Sequence, residues 1–260
     1  MNVPRYLATG LKITDTLDSG VVYLAKVEKP HTKEHEPFLA QVESDLVVLK
    51  LIYPGFGTER YGCDIHEFLS DENMAPKLYD IKTPIPKRFL GRTSLEKYVY
   101  MEYLAPPSDT SPKGWISLHD LGVNHVEVAL ANKNTIIQAV RQITHTLREA
   151  KYVHGNFRTN NLLIYVDISS SSCTLIPRKD TGLPFIKVID FDWSGHPSTV
   201  EQPNTIRYPP HRNPQVRWPG NDGWHIGAAD DDLMIDYWKQ EWPHRLRLDE
   251  DGEQVENTLK

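Results

Sequence analysis

The chain has 260 residues, which is enough for one large hydrophobic core or for two small lobes. Its formal net charge of -6 argues against a nucleic-acid-binding surface, because such a surface normally makes a domain basic. Its 2 cysteines are too few for a disulfide framework, and no segment approaches the ~18 consecutive apolar residues of a membrane span. Without a recognisable signal peptide, we expect an intracellular protein, cytoplasmic or nuclear.

The first hundred residues have the pattern of a small β-sheet with one helix. Residues 21–27, 46–52 and 98–104 are short runs rich in β-branched and aromatic residues, which predict strands. Between the last two, apolar residues recur at helical spacing over residues 59–73. The helix must end before Pro76, because the residue that precedes a proline avoids the helical region.

The central part of the chain predicts a loop and then a long helix. Residues 105–125 are rich in proline, serine and glycine, so we expect a connecting loop and a lobe boundary there. Residues 134–152 repeat apolar side chains at intervals of three and four, which predicts a helix with one buried face. Two strands, 162–166 and 185–189, follow, and the polar segment between them predicts an exposed connector.

The last third is less regular. Residues 192–227 contain many prolines and little periodicity, so a long loop is expected. Residues 233–242 predict one more helix, and the acidic residues 248–260 predict a disordered tail.

Six short sequence strings occur one after another along these elements, and their order is informative. They are VVLK at Val47–Lys50, MEYL at Met101–Leu104, HGNFRTNN at His154–Asn161, DFD at Asp190–Asp192, TIRYPP at Thr205–Pro210 and DDDL at Asp230–Leu233. Together they resemble eukaryotic-type protein kinases: the lysine strand, the hinge, the catalytic loop, the metal-binding triplet, the end of the activation segment and the helix that anchors the catalytic loop. The forms HGN-FRTNN, IDFDWSG and RYPP resemble, more narrowly, a fungal group of protein-kinase-like proteins. The resemblance spans roughly residues 12 to 240.

The resemblance implies an α+β, bilobal protein-kinase-like fold. Its small antiparallel-sheet N-lobe would comprise residues 1–104, and an abbreviated, mostly helical C-lobe would comprise residues 105–247. The abbreviation is expected because the glutamate after the activation segment and the late arginine that pairs with it in kinases are both missing.

The resemblance also implies a nucleotide site. Lys50 would hold the phosphates of ATP, Gly20 would belong to the loop that covers them, and the backbone of Met101, Glu102 and Leu104 would bind the adenine edge. That loop has one glycine where the family pattern has three, which weakens its grip on phosphate.

The carboxylate partner of Lys50 is left open by the sequence. In kinases it comes from the helix that follows the lysine strand. We favour Asp64, and Glu59 and Glu67 are the alternatives.

By the same resemblance, Asn161 and Asp190 would hold Mg²⁺, which prefers oxygen ligands. Arg158 and Asn156 occupy catalytic-loop positions, but the family places an aspartate at position 156. A neutral amide is not a useful base, and losing a positioned base costs on the order of 100- to 10,000-fold in rate. Asp192 also replaces the usual glycine of the metal-binding triplet, which restricts the backbone there.

These departures lead to two hypotheses. The first is a pseudokinase that binds ATP and magnesium and acts through contacts with a protein partner. The alternative is an active ATP-dependent phosphotransferase, acting on protein or on a small molecule, with an atypical catalytic loop.

Weaker signals have simpler explanations. His31–His35 matches the zinc-protease pattern HxxEH, but Pro30 and Pro37 flank it and favour a solvated loop. Arg207, Arg212 and Arg217 lie among prolines and form either a solvated loop or a receptor for a phosphate group.

Overall fold

The computed structural model describes residues 11–18, 22–27, 42, 45–52, 61–82, 97–169, 172–197, 206–210 and 212–243. The fold is α+β, and these residues divide into two compact units. The first contains the residues up to Leu104 together with Phe191–Ser194. The second contains Ala105–Asp190 and the residues from Gly195 onward.

The first unit is built on a five-stranded antiparallel sheet with the strand order β1-β2-β3-β5-β4. Its elements are β1 Leu11–Asp18, β2 Val22–Val27, β3 Leu46–Ile52, α1 Cys63–Asp71, β4 Leu78–Lys82 and β5 Lys97–Glu102. The central strands β3 and β5 are rich in valine, leucine, isoleucine and tyrosine, which pack well on a pleated surface.

Alternation along β3 separates the hydrophobic core from the candidate site. Val47, Leu49 and Leu51 are buried in one apolar cluster with Tyr98 and Tyr100 of β5. Because successive side chains of a strand point to opposite faces, Lys50 lies on the other face of the sheet.

The second unit combines a four-stranded sheet with four α-helices among its described residues. Its elements are β6 Lys113–Ser117, α2 Leu118–Asn124, α3 Val126–Ala131, α4 Lys133–Glu149, β7 Leu162–Ser169, β8 Ser172–Leu175, β9 Ile186–Val188 and α5 Asp230–Glu241. Strand β7 pairs antiparallel with β6, β8 and β9. The buried face of α4 carries the apolar residues whose spacing predicted it: Ile136, Ala139, Val140, Ile143 and Leu147.

The prediction of a loop over residues 105–125 is wrong for its second half. Strand β6 occupies Lys113–Ser117 and helix α2 follows at once. Ser117 caps α2, since its Oγ accepts a hydrogen bond from the Asp120 amide at 2.9 Å. The composition misled because β6 depends on pairing with β7, about fifty positions further along the chain.

The polar segment after β7 is also more ordered than predicted. Ser172–Leu175 forms β8, paired with β7 in a hairpin in which Ser169 lies opposite Ser172. Strand β4 was not predicted at all. Each of these two strands gains its order from pairing with a neighbour rather than from a strong local pattern.

Several predictions concern residues outside the described part of the chain. They include Gly20, Glu59, the His31–His35 string and the acidic segment 248–260. Among the described helices, none combines the length and the apolar character that crossing a membrane requires.

Candidate functional site

Lys50 is held by an ion pair within the first unit. Its Nζ lies 2.8 Å from Oδ1 of Asp192, and only 11% and 17% of the two side chains are exposed. The expectation that Asp64 is the partner is corrected, because Asp64 lies in the first turn of α1 with its side chain exposed. Glu67, one turn later, is exposed as well. Asp192 supplies the carboxylate instead.

Asp192 is positioned by the packing of the short segment Phe191–Ser194 against α1. The ring of Phe191 stacks on buried His66 with a centroid distance of 4.4 Å and an interplanar angle of 7°. The backbone amide of Gly62, just before α1, donates to the carbonyl of Phe191 at 2.9 Å. A side chain at position 62 would collide with Ser194, whose Cβ lies 2.7 Å from the place of the added atom. The helix therefore carries a buried histidine that orients the segment, rather than a buried carboxylate.

The end of β5 contains the residues predicted to bind adenine. Met101 is buried opposite Val48 of β3. The backbone amide of Glu102 donates to the Lys77 carbonyl at 2.8 Å, so that N–H group is already engaged. Within the described part of the chain, the N–H of Leu104 has no hydrogen-bond partner, which leaves it available to a ligand.

In the second unit, the HGNFRTNN string is anchored by Asp231 on α5. One carboxylate oxygen accepts from the His154 amide at 2.7 Å and the other from the Gly155 amide at 2.8 Å. Gly155 has φ of 77°, a left-handed conformation that suits glycine. Burial raises the pKa of Asp231 to about 7, and the two N–H groups act in the opposite direction.

Asn156, Asn161 and Asp190 come together in this unit. Nδ2 of Asn156 donates to Oδ2 of Asp190 at 2.9 Å. Nδ2 of Asn161 lies 3.0 Å from the Asn156 carbonyl and 3.4 Å from the same Asp190 oxygen. Both asparagines are buried, and Asp190 has φ of 71°, which is unfavourable for a residue with a side chain. The structure thus brings together three residues that the sequence assigned to one site.

The amide orientation gives these residues a distinct chemistry. Asn156 uses its N–H group to hold the Asp190 carboxylate, and its Oδ1 is buried with no hydrogen-bond partner in the described structure. An aspartate at position 156 would accept hydrogen bonds and repel Asp190. At this position the asparagine therefore acts as a hydrogen-bond donor to the Asp190 carboxylate.

A magnesium ion fits this site only together with further oxygen ligands. One carboxylate and one amide supply the oxygen ligands that Mg²⁺ prefers, but two ligands do not complete its coordination. In proteins Mg²⁺ is commonly held by one or two carboxylates together with phosphate and water. The described residues contain no cluster of three or more histidine, cysteine or acidic side chains able to hold a metal by itself. Ligation by Asn161 would also require its amide to turn, since its N–H now faces Asp190.

Arg158, the other predicted catalytic residue, lines a cavity beside α5. At the first residue of that helix, Asp230 accepts a hydrogen bond at 2.8 Å from the hydroxyl group of Tyr208 in the TIRYPP string. Burial, and then the Asp230 carboxylate, raise the pKa of Tyr208 above its ordinary value. This hydrogen bond ties the TIRYPP string to the start of α5.

Asp192 is the main site residue that the sequence did not reveal. Its signal was the acidic residue in place of glycine, but nothing local connects that residue to a lysine about 140 positions earlier. No protein-family model matches the chain, and a search of curated proteins finds no similar sequence.

Proposed function

We propose that the chain has a bilobal protein-kinase-like fold and is a pseudokinase that binds ATP with magnesium and acts through protein contacts. Lys50 would bind the nucleotide phosphates, the Leu104 amide would bind the base, and Asp190 with Asn161 would hold the metal. Bound magnesium would neutralise phosphate charge.

The proposal is carried by one observation, the hydrogen bond from Asn156 Nδ2 to Asp190 Oδ2 at 2.9 Å. At the position where a kinase needs a group that accepts the substrate's proton, this chain has a donor that is committed to the predicted metal ligand. An amide in that role supports binding of a metal–nucleotide complex and not proton transfer.

Lys50 gives independent support. Lysines are seldom buried unless they are paired. Lys50 is 8% exposed as a whole residue, and it is paired with Asp192. A lysine that serves only for solubility would lie at the surface, whereas a phosphate ligand must be held at a defined place in the sheet.

Nucleotide binding is tested by thermal unfolding with and without ATP and magnesium. A ligand at 100 times its Kd stabilises by about 2.7 kcal/mol, so a clear rise in Tm is expected for the wild type. In Lys50→Gln and Asp190→Asn the rise should be lost, measured from each variant's own ligand-free Tm. Lys82→Gln, a lysine of the same sheet on β4, is the matched control and should keep it. Absence of a shift at millimolar ATP removes the nucleotide from the proposal.

The alternative, an active phosphotransferase, is supported by the proximity of the Asn161 and Asp190 side chains, 3.4 Å from Nδ2 to Oδ2, because a turn of the Asn161 amide would present an oxygen to a metal beside Asp190. Transfer of radiolabelled phosphate to a generic protein substrate and to the chain itself separates the two. We expect a rate at background level for the wild type. A robust wild-type rate that Asp190→Asn abolishes would favour the alternative.

A further inference from the structure

A cavity of about 500 Å³ lies within the second unit, a size typical of small-molecule sites. Three segments line it: residues 158–160 of the HGNFRTNN string, the loop 213–217 and one face of α5. His119 of α2 completes the wall. None of the residues proposed to bind nucleotide or magnesium lines this cavity.

Two polar side-chain atoms of the cavity lining have no hydrogen-bond partner among the described residues. Nε of Arg158 and Nδ1 of His119 are both buried, and neither has a hydrogen-bond partner in the described structure. Neither Arg158 nor Arg217 forms an ion pair with any described carboxylate. Buried polar groups in proteins are nearly always hydrogen-bonded, so the Arg158 Nε donor and the His119 ring nitrogen, which donates or accepts according to its tautomer, favour a polar ligand beside them.

Arg217 differs in this respect from the other arginines of its loop region. Arg212 pairs with Asp222 at 2.8 Å, and Arg207 donates to the Gly223 carbonyl at 2.8 Å. Arg217 is exposed, and its Cζ lies 4.0 Å from the centre of the Tyr237 ring. Stacking fixes the plane of the guanidinium while its N–H edge stays open, which suits a carboxylate or phosphate.

Two tryptophans are also among the lining residues. The indole N–H of Trp238 donates to the Phe157 carbonyl at 3.1 Å, and that of Trp242 donates to the Leu118 carbonyl at 2.8 Å. With its donor engaged, the half-buried Trp238 ring offers the cavity apolar surface only, whereas Trp242 is 1% exposed and packs behind the wall. Glu241 is exposed at the rim, and its carboxylate disfavours a ligand that would place a second negative group there.

We propose that this cavity binds a small organic anion with a flat apolar body, whose carboxylate or phosphate-monoester group is held by Arg158 and Arg217. The site is separate from the proposed nucleotide site, and its test does not depend on that proposal.

The test is isothermal titration of the whole chain with phenyl phosphate, benzoate, benzyl alcohol and inorganic phosphate. We expect one or both aromatic anions to bind, and the stronger of the two identifies the preferred head group. The neutral alcohol and inorganic phosphate should bind at least about tenfold more weakly, because each lacks one half of the recognised chemistry. Quenching of tryptophan fluorescence by the bound anion gives an independent readout.

Two variants and a matched control assign the binding to this cavity. Arg217→Gln and Arg158→Gln should each weaken binding by about 10- to 100-fold, the range for one charge-assisted hydrogen bond. Arg178→Gln, which changes an arginine paired with Asp180 outside the cavity, should bind like the wild type. A saturating amount of ATP with magnesium should not displace the anion.

Three outcomes overturn the proposal. They are no binding of either aromatic anion at millimolar concentration, equal affinity in the wild type and both cavity variants, and competition by ATP. Near-ultraviolet circular dichroism of each variant confirms that it is folded. Because Arg217 is exposed and makes no described polar contact, Arg217→Gln is expected to fold even if Arg158→Gln does not.

Discussion

Lys50 and Asp192 form an ion pair within the first unit, with Nζ and Oδ1 2.8 Å apart. The carboxylate comes from the residue two positions after Asp190 and not from helix α1. Lys50 and the segment Phe191–Ser194 belong to the same unit, so a displacement of this segment would separate the lysine from its carboxylate.

The ion pair should contribute to stability. Asp192→Asn leaves a largely buried ammonium without its carboxylate, so we expect a loss of about 1–3 kcal/mol in the free energy of unfolding by urea. Asp180→Asn is the control, because the Arg178–Asp180 pair is exposed on the aspartate side and should give no measurable change. Equal midpoints for Asp192→Asn and wild type would contradict a stabilising role for this ion pair.

The donor role of Asn156 is tested by adding a charge at the same place. Asn156→Asp puts a second carboxylate beside Asp190, which should lower stability by about 1–3 kcal/mol in the presence of EDTA through like-charge repulsion. Magnesium should restore the Tm, because two carboxylates bind a divalent cation better than one. Thermal unfolding with EDTA and with magnesium measures both effects.

Asn160→Asp is the matched control for that experiment, since Asn160 is exposed and lies in the same string. It should change the Tm little and give no magnesium response. A Tm of Asn156→Asp that is the same in EDTA and in magnesium would contradict the arrangement around Asp190.

The buried carboxylate of Asp231 predicts a pH dependence of known sign. Its pKa of about 7 in the folded chain lies above the ordinary aspartate value of about 3.9, so the folded state binds more protons between these pH values. The stability contributed by Asp231 is therefore greatest at low pH and declines as the pH rises from about 4 to about 7. The stability of the wild type relative to Asp231→Asn should decline over this window and level off above it.

Urea unfolding of both proteins at a series of pH values measures this difference. Asp236→Asn serves as the control, because the hydrogen bond from Lys239 lowers the pKa of Asp236. Stability from Asp236 is lost only as the pH falls through that lowered pKa, so the comparison should be flat across the window. A rise with pH for Asp231 would mean that the two backbone N–H groups outweigh burial.

The glycine before α1 should be intolerant of a side chain. A Cβ at Gly62 would lie 2.7 Å from the Cβ of Ser194 and 3.0 Å from its carbonyl oxygen, so the segment that carries Asp192 would have to move. We expect Gly62→Ala to cost about 1–3 kcal/mol in urea unfolding. Gly227→Ala, whose added atom would meet nothing closer than 3.4 Å, should cost clearly less. Equal losses in the two variants would show that the contact with Ser194 does not determine the cost of Gly62→Ala.

The local pattern of the sequence was sufficient for the elements that bury a regular face. Strand β3 has the predicted bounds, 46–52, and the long helix predicted at 134–152 is α4, Lys133–Glu149. Both have a strong repeat of apolar residues, and a repeat of this kind favours one type of element whatever the rest of the chain does. The sequence also placed Asn156, Asn161 and Asp190 in strings of one ordered series, and the structure brings these three side chains together.

Only the tertiary structure decided which of these groups touch one another. Asp192 became the partner of Lys50, Asn156 became a donor to Asp190, and Arg158 came to line a cavity with Arg217. Strand β6 likewise exists through its pairing with β7. The physical reason is common to all four: secondary structure follows from contacts between near neighbours in the chain, whereas ion pairs, strand pairing and cavities join residues that are distant in sequence and carry no local signal of each other.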